Sequence, residues 1–214
     1  MSRPTWPRWK VTSASTSQDV LLDVFSRLTD IQRDGWQLHF AGSVARDAES
    51  RALAERLEND ARGLPVFFHF DAGLDALRDL YRRASLYWHA TGHGFPACEH
   101  PLLQEHFGVT TCEAMSAGAV PVVINSGGQS EIVTHASDGF LCDDAAALAR
   151  HTARLIEDPC LLTRMSRQAI LSSARFSRSA FNERVDAIIE RLLRQEQPRR
   201  AVFRRRTALA RNGD

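Results

Sequence analysis

The sequence predicts an α/β protein with a single doubly wound parallel sheet, and three observations lead to that fold class. Segments with strand character alternate with segments of helical periodicity between residues 18 and 195. The connections between them are short, as in parallel βαβ units. The 214-residue chain is 43% hydrophobic and 25% charged, a composition that fits one globular domain with a sizeable core.

The individual elements follow from the periodicity of the apolar residues. The first helical segment carries one apolar stripe, formed by Val20, Leu21, Val24, Phe25 and Leu28. The predicted helices span residues 18–31, 47–61, 74–83, 109–117, 130–135, 144–158, 159–174 and 177–195. The predicted strands span residues 36–41, 66–70, 85–89, 119–124 and 139–142. Together they predict a Rossmann-like domain over residues 18–195.

The two ends of the chain do not follow this pattern. Residues 1–17 are rich in Pro, Trp, Ser and Thr, so we expect an irregular segment in which the first strand of the sheet is degraded or missing. Residues 196–214 are Arg-rich with little hydrophobic periodicity, and we expect a disordered basic tail. The net charge of +1 is unevenly divided, because residues 176–214 hold ten Arg against five acidic residues.

Nothing in the sequence predicts export or membrane insertion. No apolar run approaches the roughly 18–20 residues of a membrane helix, and the first residues lack the apolar segment of a secretory signal. The four Cys form no CxxC pair and fit reduced thiols better than a disulfide framework. We therefore expect a cytoplasmic protein.

A ligand site is expected along one edge of the sheet. Doubly wound sheets bind ligands beside the carboxyl ends of their strands, near the point where strand order reverses. The residues that directly follow predicted strands are therefore candidates: Gly42-Ser43, the segment after Phe70, His89–Gly94 and Asn125–Gly128.

The most informative stretch is residues 105–131, EHFGVTTCEAMSAGAVPVVINSGGQSE. Its two carboxylates, Glu105 and Glu113, are residue types that accept hydrogen bonds from sugar hydroxyls. Gly108 lets the backbone approach a ligand closely, and the helical turn that starts at Val109 offers N–H groups and a positive dipole end to a diphosphate. Gly127-Gly128 follows a strand and opens room for a ligand wall.

This stretch resembles the donor-sugar signature of the retaining family 4 glycosyltransferases, which have the GT-B fold. Those enzymes carry an E-x7-E motif, with Phe-Gly after the first Glu and Glu-Ala-Met at the second, then a Pro-Val-Val strand and a Gly-Gly-x-x-Glu turn. Further similar segments are LHFAG at 38–42, FFHFDAGLDALRDLY at 67–81, LYWHATGHG at 86–94 and GFLCDD at 139–144. The likeness covers roughly residues 18–193, and the combination of motifs is specific.

The resemblance implies a role for each matching residue. Glu105 would be a catalytic residue that contacts hydroxyls of the transferred sugar, and Glu113 would hold the ribose hydroxyls. The region of Gly42 and the segment after Phe70 would flank the base. Backbone would be presented to the sugar and diphosphate by Phe107, Gly108 and Val109. The implied donor is a hexose linked to UDP or GDP, with no cofactor.

Two features of that family have no counterpart in the sequence. The family sets an Arg and a Lys, on the first strand–helix loop, against the diphosphate, where they stabilise the leaving group. The Lys position falls near Thr16, and Arg8 and Lys10 are the only cations nearby. The acceptor-binding, N-terminal half is not found either. The resemblance therefore predicts the C-terminal, nucleotide-sugar-binding half, with a separate acceptor-binding half as a candidate partner.

Three hypotheses of function stay open from the sequence. The first is the donor-binding domain of an enzyme that transfers a hexose to a hydroxyl acceptor. The second is a catalytically inactive truncated or regulatory module that still binds a nucleotide. The third is a basic-tailed protein that binds anionic surfaces, a membrane or another polyanion, through Arg199–Arg206. No nucleic-acid-binding fold is predicted.

Some residues near the motif have a structural interpretation beside a functional one. His89 and His93, near Cys98, suggest a metal site, but no ligand set matches a known one, so no metal is predicted. We expect His89 to pack at a strand end. Glu131 fits a helix cap or an ion pair with an Arg as well as it fits ligand binding.

Overall fold

A computed structural model gives the fold of the chain and describes residues 9–13 and 17–209. These residues form two compact units that divide after Ser173. The sequence predicts one domain over residues 18–195, so the boundary lies earlier than expected.

The first unit contains a six-stranded sheet whose neighbouring strands are all parallel. The strands are β1 (Trp9–Ser13), β2 (Gln37–Gly42), β3 (Val66–Phe70), β4 (Ala84–His89), β5 (Val120–Ile124) and β6 (Phe140–Cys142). Their order is β3-β2-β1-β4-β5-β6, so the direction of winding reverses between β1 and β4. This confirms the predicted α/β class with a doubly wound parallel sheet.

Helices connect the strands and cover the sheet. Those of the first unit are α1 (Gln18–Arg27), α2 (Asp30–Arg33), α3 (Ala48–Asp60), α4 (Leu74–Arg83), α5 (Val109–Ser116), α6 (Gln129–Ile132), α7 (Ala145–Glu157) and α8 (Pro159–Ser173). Helix α1 packs against α3 and α7, whereas α5 packs against α4 and α8. Right-handed crossovers place these two groups on opposite faces of the sheet.

Local sequence explains where the elements lie. All five residues of β5 are buried, which fits a central strand covered by helices on both faces. The predicted helix 18–31 is two helices, because Thr29 and Gln32 form a capping box that starts α2. Asp47 and Asp144 cap α3 and α7 by accepting hydrogen bonds from N–H groups of the first turn.

The prediction for the first strand is wrong. Residues 1–17 were expected to be irregular, but Trp9–Ser13 form β1 at the centre of the sheet, paired with β2 and β4. Strand propensity depends strongly on the neighbours that a segment packs against. These five residues lack a clear apolar pattern, and they form a strand because they are hydrogen-bonded to strands on both sides.

The second unit contains a short 3₁₀ turn, Ala174–Phe176, and the long helix α9 (Arg178–Leu209). The predicted disordered tail from residue 196 is therefore helical as far as Leu209. Arg and Ala make up half of residues 196–209, and both have high helix propensity. None of the described helices combines the length and apolarity that crossing a membrane requires.

Candidate functional site

The carboxyl ends of all six strands lie along one edge of the sheet, because every neighbouring pair is parallel. Four of them end in or just before a predicted ligand segment: Gly42 ends β2, Phe70 ends β3, His89 ends β4 and Ile124 ends β5. The sequence-predicted site residues therefore fall along this carboxyl edge, which includes the reversal point between β1 and β4.

Glu105 lies in the loop before α5, and its carboxylate contacts the imidazole of His89. Glu105 Oε2 is 2.9 Å from His89 Nε2. The His89 side chain is only 1% exposed, whereas that of Glu105 is 22% exposed. The contact thus joins a buried strand end to a carboxylate that reaches solvent.

The other ring nitrogen of His89 meets Gln129 on α6. His89 Nδ1 lies 3.3 Å from Gln129 Nε2, and Gln129 is completely buried. Thr91 Oγ1 lies 3.4 Å from His89 Nε2, and the ring of Tyr87 stacks on the imidazole at 6.3 Å between centroids. His89 is therefore held from several sides at the end of β4.

These contacts lower the pKa of Glu105. The largest cause is the hydrogen bond from His89, and N–H groups of Phe107 and Gly108 act in the same direction, against the effect of burial. The Phe107 N–H donates to Glu105 Oε1 at 3.3 Å. Each carboxylate oxygen has two lone pairs, so both retain acceptor capacity toward solvent.

Gly127 and Gly128 bring the turn after β5 against the backbone of the Glu105 loop. The Gly128 N–H donates to the Glu105 carbonyl oxygen at 2.7 Å. A Cβ at Gly128 would lie 2.6 Å from the carbonyl oxygen of Phe107, and a Cβ at Gly127 would overlap the Glu105 carbonyl oxygen. The predicted role is room for a ligand; the geometry adds a structural reason, close approach of two backbones.

Gly108 starts α5 in a left-handed conformation, with φ 97°. Its carbonyl accepts hydrogen bonds from the N–H groups of Thr111 and Cys112. The N–H groups of Val109 and Thr110 precede this first bonded turn, at the positive end of the helix dipole. The geometry is one that favours an anion.

Phe107 and Val109 flank this helix start and are 42% and 58% exposed. Glu113 lies one turn farther along α5 and is exposed. It is hydrogen-bonded to the buried Tyr81, and burial together with the charges of Tyr87 and Glu113 raises the pKa of that phenol. Glu113 therefore stands beside the helix start with one of its hydrogen-bonding positions already occupied.

A cavity of about 240 Å³ lies farther along the carboxyl edge, between α3 and the ends of β2 and β3. Gly42 and Phe70, predicted to flank the base, both line it. Apolar side chains dominate the remaining wall, among them Leu53, Ala54 and Phe68. The volume is somewhat below the roughly 300 Å³ at which small-molecule pockets begin.

The structure thus brings the predicted residues together in two groups. One joins Glu105 to the Gly127-Gly128 turn and the start of α5, and the other joins Gly42 to Phe70. The expected Lys position at Thr16, and Arg8, lie outside the described residues. No three His, Cys, Asp or Glu side chains among those described are placed to hold a metal ion.

Sequence reasoning missed Gln104 and Gln129. It included His89 in the candidate segment His89–Gly94 and expected the side chain to pack at a strand end. Gln104 accepts from Ser126 Oγ at 2.6 Å and donates to the carbonyl oxygens of Phe95 and His100 at 3.0 Å each. It therefore fastens the loop after β4 to the end of β5. The position of His89 at a strand end on the ligand edge was the one signal that the sequence offered.

The family described as Glycosyl transferases group 1 matches residues 13–172. A GDP-Man:Man(3)GlcNAc(2)-PP-Dol alpha-1,2-mannosyltransferase of Dictyostelium discoideum is 32% identical over 164 residues, which cover 74% of this chain and 30% of that protein. The human alpha-1,3/1,6-mannosyltransferase ALG2 is 33% identical over 94 residues, 42% of this chain and 22% of that protein. The chain therefore spans less than a third of the length of these relatives.

Solved structures share the fold. Anabaena HepE in complex with UDP and glucose has a TM-score of 0.69 at 20% identity, over 86% of this chain and 48% of that one. The C-terminal domain of LpcC, a group 1 glycosyl transferase of Francisella tularensis, has a TM-score of 0.57 at 16% identity, over 78% of this chain and 83% of that one. The fold is that of the C-terminal domains of GT-B glycosyltransferases. By its family match, the chain belongs to the group 1 glycosyltransferases.

Proposed function

We propose that this group 1 glycosyltransferase is the donor-binding domain of a retaining family 4 enzyme, which transfers a hexose from a nucleotide diphosphate sugar to a hydroxyl acceptor. The observation that carries the proposal is the placement of an oriented carboxylate, Glu105, immediately before the open N-terminus of α5 on the carboxyl edge. The hydroxyl groups of a sugar diphosphate need hydrogen-bond acceptors, and its phosphates need N–H donors close by. The carboxylate and the helix start supply both.

Each part of the donor has a counterpart on this edge. The diphosphate binds the N–H groups of Val109 and Thr110, and Glu105 accepts hydrogen bonds from the sugar hydroxyls. Glu113 accepts from the ribose, and the base enters the cavity between Gly42 and Phe70. The polar contacts of Glu105 and the apolar wall of the cavity support this division of the ligand.

During transfer, the bond between the anomeric carbon and the diphosphate oxygen breaks, the new bond to the acceptor oxygen forms with retention, and the departing diphosphate takes up the proton of the acceptor hydroxyl. The departing diphosphate gains negative charge, which the helix dipole and the N–H groups at the start of α5 stabilise. Glu105 keeps the sugar oriented while that bond breaks. These residues therefore orient the donor and stabilise its leaving group.

Relatives bear on the choice of nucleotide. The Dictyostelium relative is named for GDP-mannose, whereas the HepE structure holds UDP. The relative is 32% identical and the structure 20% identical, so we place GDP-mannose first and UDP-hexoses second. A separate acceptor-binding half would complete the enzyme, and without it the chain would bind the donor without transferring it.

Calorimetric titration of the 214-residue chain with GDP, UDP and ADP tests the proposal. We expect micromolar affinity for one of them and a loss of about tenfold or more in Glu113→Gln, because the neutral amide has only one acceptor oxygen in place of the two of a charged carboxylate. Glu58→Gln, an exposed change on α3, is the matched control and should bind like the wild type. A folded wild-type chain that binds none of the three nucleotides would contradict the proposal.

A second candidate function is contact with an anionic membrane surface by α9. Apolar side chains of this helix are exposed at helical spacing: Phe181, Ile188, Ile189, Leu192 and Leu193. Arg199–Arg206 follow them in the chain, and exposed apolar side chains followed by a basic run suit the interface of an anionic bilayer. A cytoplasmic location at a membrane surface stays a prediction.

Flotation with vesicles of phosphatidylcholine, with and without phosphatidylserine, tests the second candidate. We expect binding that needs the anionic lipid, weakens at high salt and is lost when residues 196–214 are deleted. Binding that survives the deletion would contradict a role for the Arg-rich segment.

A further inference from the structure

We propose that His89 is a positioning residue for Glu105 and that Gln129 fixes the His89 ring for this task. The inference rests on the proposed function, in which Glu105 binds the hydroxyls of the donor sugar. It goes beyond that function by assigning the orientation of the carboxylate to a buried pair that makes no contact with the ligand itself.

The hydrogen-bonding partners select one state of the imidazole. An ionised carboxylate only accepts, so the ring nitrogen facing Glu105, Nε2, carries a proton. The amide nitrogen of Gln129 only donates, so Nδ1 accepts from it. The Nε2 N–H of His89 is therefore the donor aimed at Glu105, and Gln129 holds the opposite side of the ring.

The amide of Gln129 contacts His89, although the rest of that amide is not fully hydrogen-bonded. It is fully buried, and its Oε1 atom has no hydrogen-bond partner among the described atoms. A buried amide with one unsatisfied oxygen is costly, and an apolar side chain of the same size would avoid that cost. The contact with His89 Nδ1 is the interaction that an apolar residue would lose.

The backbone of the Glu105 loop does not depend on His89. The Gly128 N–H holds the Glu105 carbonyl at 2.7 Å, and Gln104, the preceding residue, is bound to Ser126. Removing the imidazole donor therefore frees the Glu105 carboxylate while these other contacts keep the loop in place. The defect should appear in recognition of the sugar and not in recognition of the nucleotide.

Three substitutions at His89 separate the effect of losing the hydrogen-bond donor to Glu105 from the effect of changing the size of the side chain. His89→Gln keeps an amide N–H near the position of Nε2, where it reaches Glu105. His89→Asn keeps a polar group near Nδ1 and leaves Glu105 without its donor, and His89→Leu removes both. Gln129→Met keeps the length of the side chain and removes only the donor to Nδ1.

The experiment compares affinities for GDP-mannose and GDP, and for UDP-glucose and UDP, by calorimetry on the full chain. The readout is the ratio of sugar-nucleotide affinity to nucleotide affinity for the pair that the wild type binds. We expect this ratio to fall about tenfold in His89→Leu and His89→Asn, and about threefold in Gln129→Met. His89→Gln should restore it to within about threefold of the wild type.

The outcomes distinguish the two proposals. Equal losses of sugar-nucleotide and nucleotide affinity, or an unchanged ratio in a folded His89→Leu chain, would overturn the positioning role and leave the proposed function standing. If the His89 variants do not fold, an unchanged ratio in Gln129→Met overturns it instead. A wild-type chain that binds neither pair overturns the proposed function, and this inference with it.

Discussion

The two ends of the candidate site are built in different ways. At the ends of β4 and β5, the Glu105 loop is held by hydrogen bonds from His89 and Gly128 and by backbones in close contact. At the ends of β2 and β3, Gly42 and Phe70 border a cavity whose wall is mostly apolar.

The proposed function gives each end a different part of the ligand to bind. Hydrogen bonds to hydroxyls and phosphates depend on direction, so their partners must be fixed before the ligand arrives. Contact with an aromatic base depends mainly on buried area and tolerates small shifts. We therefore expect ligand binding at the Glu105 end to be lost when its hydrogen-bonding groups shift. Binding at the Gly42 end should be lost only when the cavity is filled or the strands are destabilised.

The largest expected effect is at Gly128. Its φ of −66° suits any residue, so Gly128→Ala tests close approach alone. The new Cβ would lie 2.6 Å from the Phe107 carbonyl oxygen, and we expect a loss of about 3 kcal/mol in unfolding free energy and about 10 °C in Tm. Gly73→Ala is the control, because its Cβ meets nothing within 4 Å. Thermal unfolding checks both variants. Equal Tm values would show that the close approach of Gly128 to the Phe107 carbonyl does not constrain the loop.

A second prediction concerns stability at the other end. On the opposite face of β2 from the cavity, burial, His69 and Arg83 lower the pKa of His39 from 6.5 to about 4. Between these values the unfolded chain binds a proton that the folded chain does not. The contribution of His39 to the free energy of unfolding is therefore fully present above pH 6.5 and is lost as the pH drops toward 4. We expect the free energy of unfolding to fall by about 2 kcal/mol between pH 7 and pH 5.

Urea unfolding at pH 7 and pH 5 measures this loss. His39→Leu has no group to titrate at this position, so the difference between the two pH values should shrink by most of that amount. A variant that keeps the wild-type difference would show that other groups cause it.

The third prediction returns to the Glu105 end. Gln104→Leu removes three hydrogen bonds that fasten the loop after β4, and we expect a loss of about 2 kcal/mol. Hydrogen exchange should accelerate in residues 95–100 and remain unchanged in residues 37–42. Gln168→Leu, which affects a bond within α8 only, is the control. Equal acceleration of hydrogen exchange in both segments would contradict the view that the two ends of the site are stabilised independently.

The smallest effect is expected from filling the cavity. Ala54 lines it, whereas Ala52 on the same helix is exposed and does not. Ala54→Phe should lower nucleotide affinity about tenfold and leave Tm nearly unchanged, and Ala52→Phe should change neither. Calorimetry on both variants checks this, and full affinity in Ala54→Phe would place the base elsewhere.

The sequence predicted most of the sheet and the position of both groups of candidate residues at its carboxyl edge, because each is encoded locally. Alternating segments mark β2 to β6, and the stretch 105–131 carries both Glu residues and the glycines in one run. β1 was missed because its pairing, rather than its own pattern, makes it a strand. The contacts of His89 with Glu105 and Gln129 were not predicted, because they join residues far apart in the chain and no local pattern marks such contacts.

A crystal structure of the chain with a bound nucleoside diphosphate would show where the donor lies. We expect the base in the cavity at Gly42 and Phe70, and we expect the diphosphate to accept hydrogen bonds from the N–H groups of Val109 and Thr110. A nucleotide bound away from the carboxyl edge of the sheet, or with its phosphates turned from the start of α5, would contradict the proposed function.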